Sequence, residues 1–301
     1  MKLGYPCLNW SLPCNAGKTF RLKSYSDEKL IETVDNNLSC LMNILQYNKD
    51  NGFYFFRISS ETIPFASHEI CQFNWQKQFE NQLQTIGKFI LKNEMRISMH
   101  PDQFVLINAL DKKIIKKSIK ELQWHCELLD LMGLKEDAKV QIHVGGVYDD
   151  KQASMKRFVD NYKKLPELIK KRLVIENDDR LYSLKDCIEI HEQTNIPIIF
   201  DNFHHECLHN DEPVAEALSA AQKTWTKNDG ILMTDYSSQQ PGERVGKHRD
   251  SIDIKHFEKY IKATKDYDFD IMLEIKDKEK SAAKALQIIG VYSKTSVPRP
   301  S

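Results

Sequence analysis

Short apolar runs alternate with longer amphipathic stretches along the whole chain. The runs are KLGYPCLN, FYFFRIS (53–59), RISMH, VQIHVGG, LVIEN, PIIFDN, ILMTDY and IMLEIK. They are rich in β-branched and aromatic residues and show little alternation, as strands buried on both faces of a parallel sheet do. Between them, apolar residues recur at helical spacing. Over 27–48 the set is Leu30, Val34, Leu38, Leu41, Ile44 and Leu45, which predicts a helix. Further helices are expected from about Trp75 to Lys92, from about Asp111 to Met132, and around Met155, Phe158, Val159 and Tyr162. SLKDCIEIHEQT opens with Ser183 and Asp186 as N-terminal cap residues. PVAEALSAAQKTW, SIDIKHFEKYIKATK and EKSAAKALQII complete the series. Eight strand–helix pairs in 301 residues predict an α/β fold, a closed (β/α)8 TIM barrel, as a single domain over 1–290. A doubly wound open sheet is the structural rival. The last residues, SKTSVPRPS, are small, polar and proline-bearing, and a flexible tail is expected over 291–301.

Composition changes this picture little. Hydrophobic residues make up 41% and charged residues 29%, as in ordinary folded proteins. Lys plus Arg and Asp plus Glu both number 43, so bulk charge does not advertise a nucleic-acid binder. Lys112, Lys113, Lys116, Lys117 and Lys120 form one local basic cluster, and 163–172 holds another; both read as solvated helix faces. The seven cysteines include no C-x-x-C pair. Reduced thiols in a cytoplasmic protein are therefore expected, rather than a disulfide framework or a zinc knuckle. No run reads as a signal peptide or a membrane span.

Chemistry enters at the ends of the strands. His100, His143, Glu176, Asp201, Asp235 and Glu274 stand at or near the C-terminal ends of apolar runs. His204 and His248 lie in the segments that follow. Singly, each is an ordinary cap or a half-exposed polar residue. As a set, a barrel delivers them all to one mouth. Carboxylates crowded there repel one another unless cations sit between them. Two to three divalent ions are expected, Mn²⁺ foremost with Zn²⁺, Co²⁺ or Mg²⁺ as alternatives; the mixed nitrogen and oxygen donors suit Mn²⁺ or Zn²⁺, and softness alone does not choose between those two. Glu176 is the expected bridging ligand. Ions about 4 Å apart activate water on one side and stabilise a departing oxyanion on the other, which favours phosphodiester chemistry. Arg57, Arg244, Lys247 and Arg249 are candidate phosphate contacts, the last three in the basic loop GERVGKHR around His248. Lys276, next to Glu274, is placed beside Glu176 as a catalytic residue that holds a phosphate oxygen.

The stretches FFRISSETIPFASH, RISMHPDQF, QIHVGG, LVIENDD, IIFDNFHH, DYSSQQPGE and MLEIKDKE resemble the UV damage endonucleases, in the family's order and spacing. That family resembles the endonuclease IV group of metal-dependent barrels. The resemblance implies cleavage of double-stranded DNA immediately 5′ to cyclobutane pyrimidine dimers and 6-4 photoproducts. It implies a 3′-hydroxyl and a 5′-phosphate as products, as the start of an excision-repair pathway completed by downstream enzymes. A monomer is expected. The family's metal ligands fall on His100, His143, Glu176, Asp201, His204, His248 and Glu274, with His68 near the cluster. Gln103 and Phe104 match the pair that wedges into the duplex where the lesion is flipped out. Tyr5 and Asn9 match residues that line the lesion pocket. Two positions depart: some members carry a histidine where this chain has Asp235, and a lysine, carboxylated beside the metals, where it has Met233. The rival function is a sugar isomerase or epimerase on a related metal-dependent barrel, and a non-catalytic damage binder is a third reading.

Overall fold

A computed structural model describes residues 1–293 of the chain. Eight parallel strands close into one barrel in sequence order. They are β1 (Leu3–Pro6), β2 (Phe55–Ile58), β3 (Arg96–Met99), β4 (Lys139–His143), β5 (Leu173–Glu176), β6 (Ile198–Asp201), β7 (Leu232–Tyr236) and β8 (Phe269–Leu273). Pairing of Leu3 and Gly4 with Ile271 and Met272 seals the cylinder between β1 and β8. The helices are α1 (Asp27–Asn51), α2 (Trp75–Gln78), α3 (Glu80–Lys92), α4 (Lys112–Leu131), α5 (Lys151–Tyr162), α6 (Glu167–Lys170), α7 (Leu184–Thr194), α8 (Asn202–Cys207), α9 (Val214–Gln222), α10 (Ile254–Ala263) and α11 (Glu279–Ser293). The open-sheet rival is thereby excluded.

Local chemistry sets the helix ends. Ser26, Asp111, Asp150 and Asp253 cap α1, α4, α5 and α10 with side-chain oxygens. Ser183 and Asp186 form a reciprocal capping box on α7. The helix expected over 75–92 is instead two, broken at Phe79, which closes α2 and opens α3. The expected tail at 291–301 begins inside α11, which runs to Ser293, and its remainder lies outside the described residues.

Strand alternation sorts side chains into two cores. The large core lies between the strands and the surrounding helices and takes in Tyr5, Phe56, Ile97, Ile142, Ile175, Phe200 and Tyr236. Inside the barrel, Phe55, Val174, Ile199, Met233 and Met272 form a separate apolar plug. Each plug residue sits two positions before a polar residue: Arg57, Glu176, Asp201, Asp235 and Glu274. The side-chain period of two therefore stacks a polar layer on the plug, at the C-terminal mouth.

The cysteine expectation fails in one place. Cys14 and Cys40 form a disulfide with Cα atoms 5.8 Å apart. The loop after β1 folds back onto α1, where the Asn37 side chain bonds both the Lys18 N–H and the Lys18 carbonyl. That docking is tertiary, so cysteine spacing carried no sign of it. The other five cysteines are free.

Candidate metal centre

Two carboxylates and three imidazoles converge at the ends of β3 to β6. Glu176 ends β5 and is 1% exposed. Its Oε2 lies 3.4 Å from His100 Nε2 and 3.9 Å from His143 Nε2. Its Oε1 lies 2.9 Å from His204 Nδ1, which is 3.6 Å from Asp201 Oδ2. The sets His100–His143–Glu176 and Glu176–Asp201–His204 each bring three ligand atoms within 4.8 Å of one another. Glu176 belongs to both and presents one oxygen to each.

Neighbouring groups aim these side chains. Asp201 caps α8, its Oδ1 accepting the His204 N–H at 2.7 Å. The Asn177 side chain accepts the Asp201 N–H and donates to the Asp201 carbonyl, both at 3.0 Å. His100 Nδ1 sits 2.8 Å from the Pro101 carbonyl, so it carries the proton and leaves Nε2 as the ligand atom. His248 Nδ1 meets the Glu274 carbonyl at 2.9 Å in the same way.

The donors fit a divalent cation. Asp201 Oδ2 and His143 Nδ1 are buried without a hydrogen-bond partner among the described residues. Burial pushes the Asp201 carboxyl well above its ordinary range, and the nearby charges of Glu176, Asp235 and Glu274 add to that push. Burial also lowers the His143 imidazole, which keeps it neutral, the form that ligates. Burial opposes ionisation of Glu176 too, yet the surrounding imidazoles hold it well below the usual carboxylate range.

The remaining sequence candidates divide. Asp235 stands beside Asp201 on the neighbouring strand β7, Glu274 follows β8, and both bond to Arg57. Arg57 is only 3% exposed. It lies inside the barrel among carboxylates and so does not face the solvent as a phosphate contact would. His248 Nδ1 is 3.6 Å from Glu274 Oε2, and its ring lies 5.8 Å from that of His204. His68 is exposed in the loop after β2 and packs edge-on against Phe65, outside both triads. Gln103 and Phe104 are exposed, Phe104 at 66%. Arg244 is exposed, Lys247 pairs with Glu243 at 2.8 Å, and Arg249 with Asp253 at 3.5 Å. Lys276 is half-exposed and bonds Asp250 at 2.5 Å.

Tyr5 and Asn9 are placed away from the mouth. Tyr5 is fully buried against Phe53 and Phe56, its hydroxyl on Asn48. Asn9 donates to that hydroxyl at 2.7 Å. The reason is phase. Gly4 and Pro6 face the barrel interior, so Tyr5 between them points outward at α1.

Sequence reasoning missed Gln141 and Asn177. Gln141 donates to Asp235 at 2.5 Å and to Glu176, and accepts from Arg57 at 2.8 Å. Its position two residues before His143 on one strand was the available signal.

The sequence profile of the UV-endonuclease UvdE family matches residues 1–297. A UV DNA damage endonuclease of Clostridium perfringens is 41% identical over 297 residues, spanning 98% of this chain and 72% of the relative. Its Bacillus cereus counterpart is 32% identical over 289 residues, 93% of this chain and 91% of the relative. The crystal structure of SacUVDE superposes with a TM-score of 0.93 at 46% identity, covering 98% of this chain and 99% of that one. Endonuclease IV from Thermus thermophilus (TM-score 0.61, 14% identity, 98% and 100% covered) and a D-psicose 3-epimerase from Clostridium cellulolyticum (0.58, 12%, 98% and 99%) share the fold alone. With matches of this identity over nearly its whole length, the chain belongs to the UV-endonuclease UvdE family, the endonucleases of UV DNA damage repair.

Proposed function

We propose that the chain hydrolyses the phosphodiester bond immediately 5′ to UV photoproducts, both cyclobutane pyrimidine dimers and 6-4 photoproducts, leaving a 3′-hydroxyl and a 5′-phosphate. The observation that carries this reading is the double triad that shares Glu176. Divalent ions, Mn²⁺ foremost, would supply an activated water and positive charge for the leaving oxygen when bound there. His100, His143 and Glu176 would hold one ion, and Glu176, Asp201 and His204 another.

The protein's own part is to place and shield. Asn177 and the α8 cap fix the direction of Asp201 and His204. Gln141 donates to Glu176 and keeps that carboxylate pointed at both triads. Gln103 and Phe104 stand free on the rim and are suited to fill the gap that a flipped dinucleotide leaves. A photoproduct is already poorly stacked, which lowers the flipping cost at lesions. Arg244, Lys247 and Arg249 would hold backbone phosphates without reading sequence. Lys276 would turn from Asp250 to a phosphate oxygen.

The test is nicking of UV-irradiated supercoiled plasmid in Mn²⁺, with unirradiated plasmid as control. Glu176→Gln is expected to cut roughly a hundredfold more slowly or worse while still retaining irradiated DNA in a gel shift. An undiminished rate would place the chemistry elsewhere.

A further inference from the structure

Four carboxylates ring the mouth, and they are not equivalent. Glu176 and Asp201 face imidazoles. Asp235 and Glu274 face a guanidinium, Glu274 through Oε1 while its Oε2 lies 3.6 Å from His248 Nδ1. Arg57 Nη2 donates to both oxygens of Asp235 at 2.7 Å, and Nη1 donates to Glu274 Oε1. The Arg57 and Asp235 side chains are 4% and 1% exposed. Gln141 Nε2 closes the remaining side of Asp235 Oδ2 at 2.5 Å. Oδ2 thus accepts two donors, which uses both its lone pairs. Met233, on the same strand face one layer down, is fully buried in the apolar plug and offers no strong donor atom.

We infer that Arg57 is a fixed cation filling the β7–β8 side of the mouth, so that the centre loads two divalent ions and not three. The inference rests on the metal-dependent reading above and limits it. A hard cation binds oxygen at roughly 2.0–2.6 Å. It cannot share the Asp235 oxygens with the guanidinium already seated on them. It would have to displace Arg57 into an apolar barrel, where an unpaired charge is costly. Charge balance points the same way. One guanidinium against four carboxylates, with two divalent ions added, leaves a single positive charge to meet one phosphodiester. A third ion would leave three positive charges crowded in a partly dry site, where they repel strongly.

The test counts ions. Metal-stripped full-length protein is reloaded with excess Mn²⁺, freed of unbound metal by gel filtration, and assayed by elemental analysis against protein concentration. Two Mn²⁺ per chain are expected for the wild type, and three would overturn the inference. Asp235→Asn keeps the shape and the contact with Arg57 but is a poorer ligand. It is expected to hold two ions still, and loss of one would show that Asp235 ligates. Arg57→Met frees Asp235 and Glu274 and is expected to gain an ion. If that variant fails to fold, the wild-type and Asp235→Asn counts still decide. No Mn²⁺ retained by the wild type would sink the metal-dependent reading itself, and this inference with it.

Discussion

Phe104 keeps 66% of its surface in water on the rim of the mouth, where the proposed function puts damaged DNA. A ring left exposed there, beside an equally exposed Gln103, gains most when bases cover it. Replacing both with alanine is expected to weaken binding to UV-irradiated duplex by about 1–3 kcal/mol. Unirradiated duplex, whose stack stays closed, should lose less. Titration of one labelled duplex before and after irradiation measures both, and equal losses would make these residues general DNA contacts. At this scale the sequence was legible wherever a residue's role follows from its place on a strand. His100, His143, Glu176, Asp201 and His204 converge because strand ends converge. Tyr5 misled because one step along a strand reverses the face. Arg57 misled for another reason: nothing local reveals that Asp235 and Glu274, far along the chain, will seize its guanidinium.

Helices α3 and α4 show how tightly the outer shell is fitted. A Cβ built on Gly87 of α3 would lie 1.6 Å from the carbonyl oxygen of Met132, at the end of α4. Backbone cannot yield as a side chain does. Gly87→Ala is expected to cost about 1–3 kcal/mol through overpacking, read as a lower urea midpoint at unchanged slope. On α4, His125 is fully buried and donates Nδ1–H to the Glu121 carbonyl at 2.7 Å. Burial pushes its imidazole down to about 3. The unfolded chain, with an ordinary imidazole near 6.5, takes up the proton first as pH falls. The contribution of His125 to stability is therefore full above about pH 6.5 and is lost toward pH 3, at roughly 1.4 kcal/mol per pH unit. Urea unfolding of the wild type and His125→Gln at pH 7, 6 and 5 isolates it. The variant should lose stability less steeply over that range, and parallel losses would mean the imidazole is not held neutral. Periodicity foretold α4 to within a residue at each end, because that signal is local. It did not foretell the break at Phe79 or the Cys14–Cys40 bond, since both depend on what packs across the chain.

Across the whole molecule, 43 basic and 43 acidic residues cancel, yet they are not mixed evenly. Glu176, Asp201 and Asp235 are buried at the mouth, in and beside the two candidate triads, while the loop carrying Arg244, Lys247 and Arg249 stands at the rim. Far from the protein the field is weak, so attraction to DNA rests on short-range contacts, which the proposed function puts at that rim. This places a limit on salt dependence. The logarithm of the binding constant should fall with the logarithm of salt at a slope of about 0.9 for each phosphate neutralised. Few rim cations imply a shallow slope. Arg244 is the informative residue, because it is exposed and makes no ion pair among the described residues. Arg244→Ala is expected to reduce the slope by about one, with irradiated and unirradiated duplexes affected alike. Lys247→Ala should reduce it less, since Lys247 is already partly neutralised by Glu243 and its removal leaves that acid at the rim. Lys116→Ala, on the outer helix α4, should leave the slope unchanged. Fluorescence anisotropy over a fourfold range of salt gives all three values. If Lys116→Ala lowers the slope as much as Arg244→Ala, DNA lies across the helical flank of the barrel and not over its mouth.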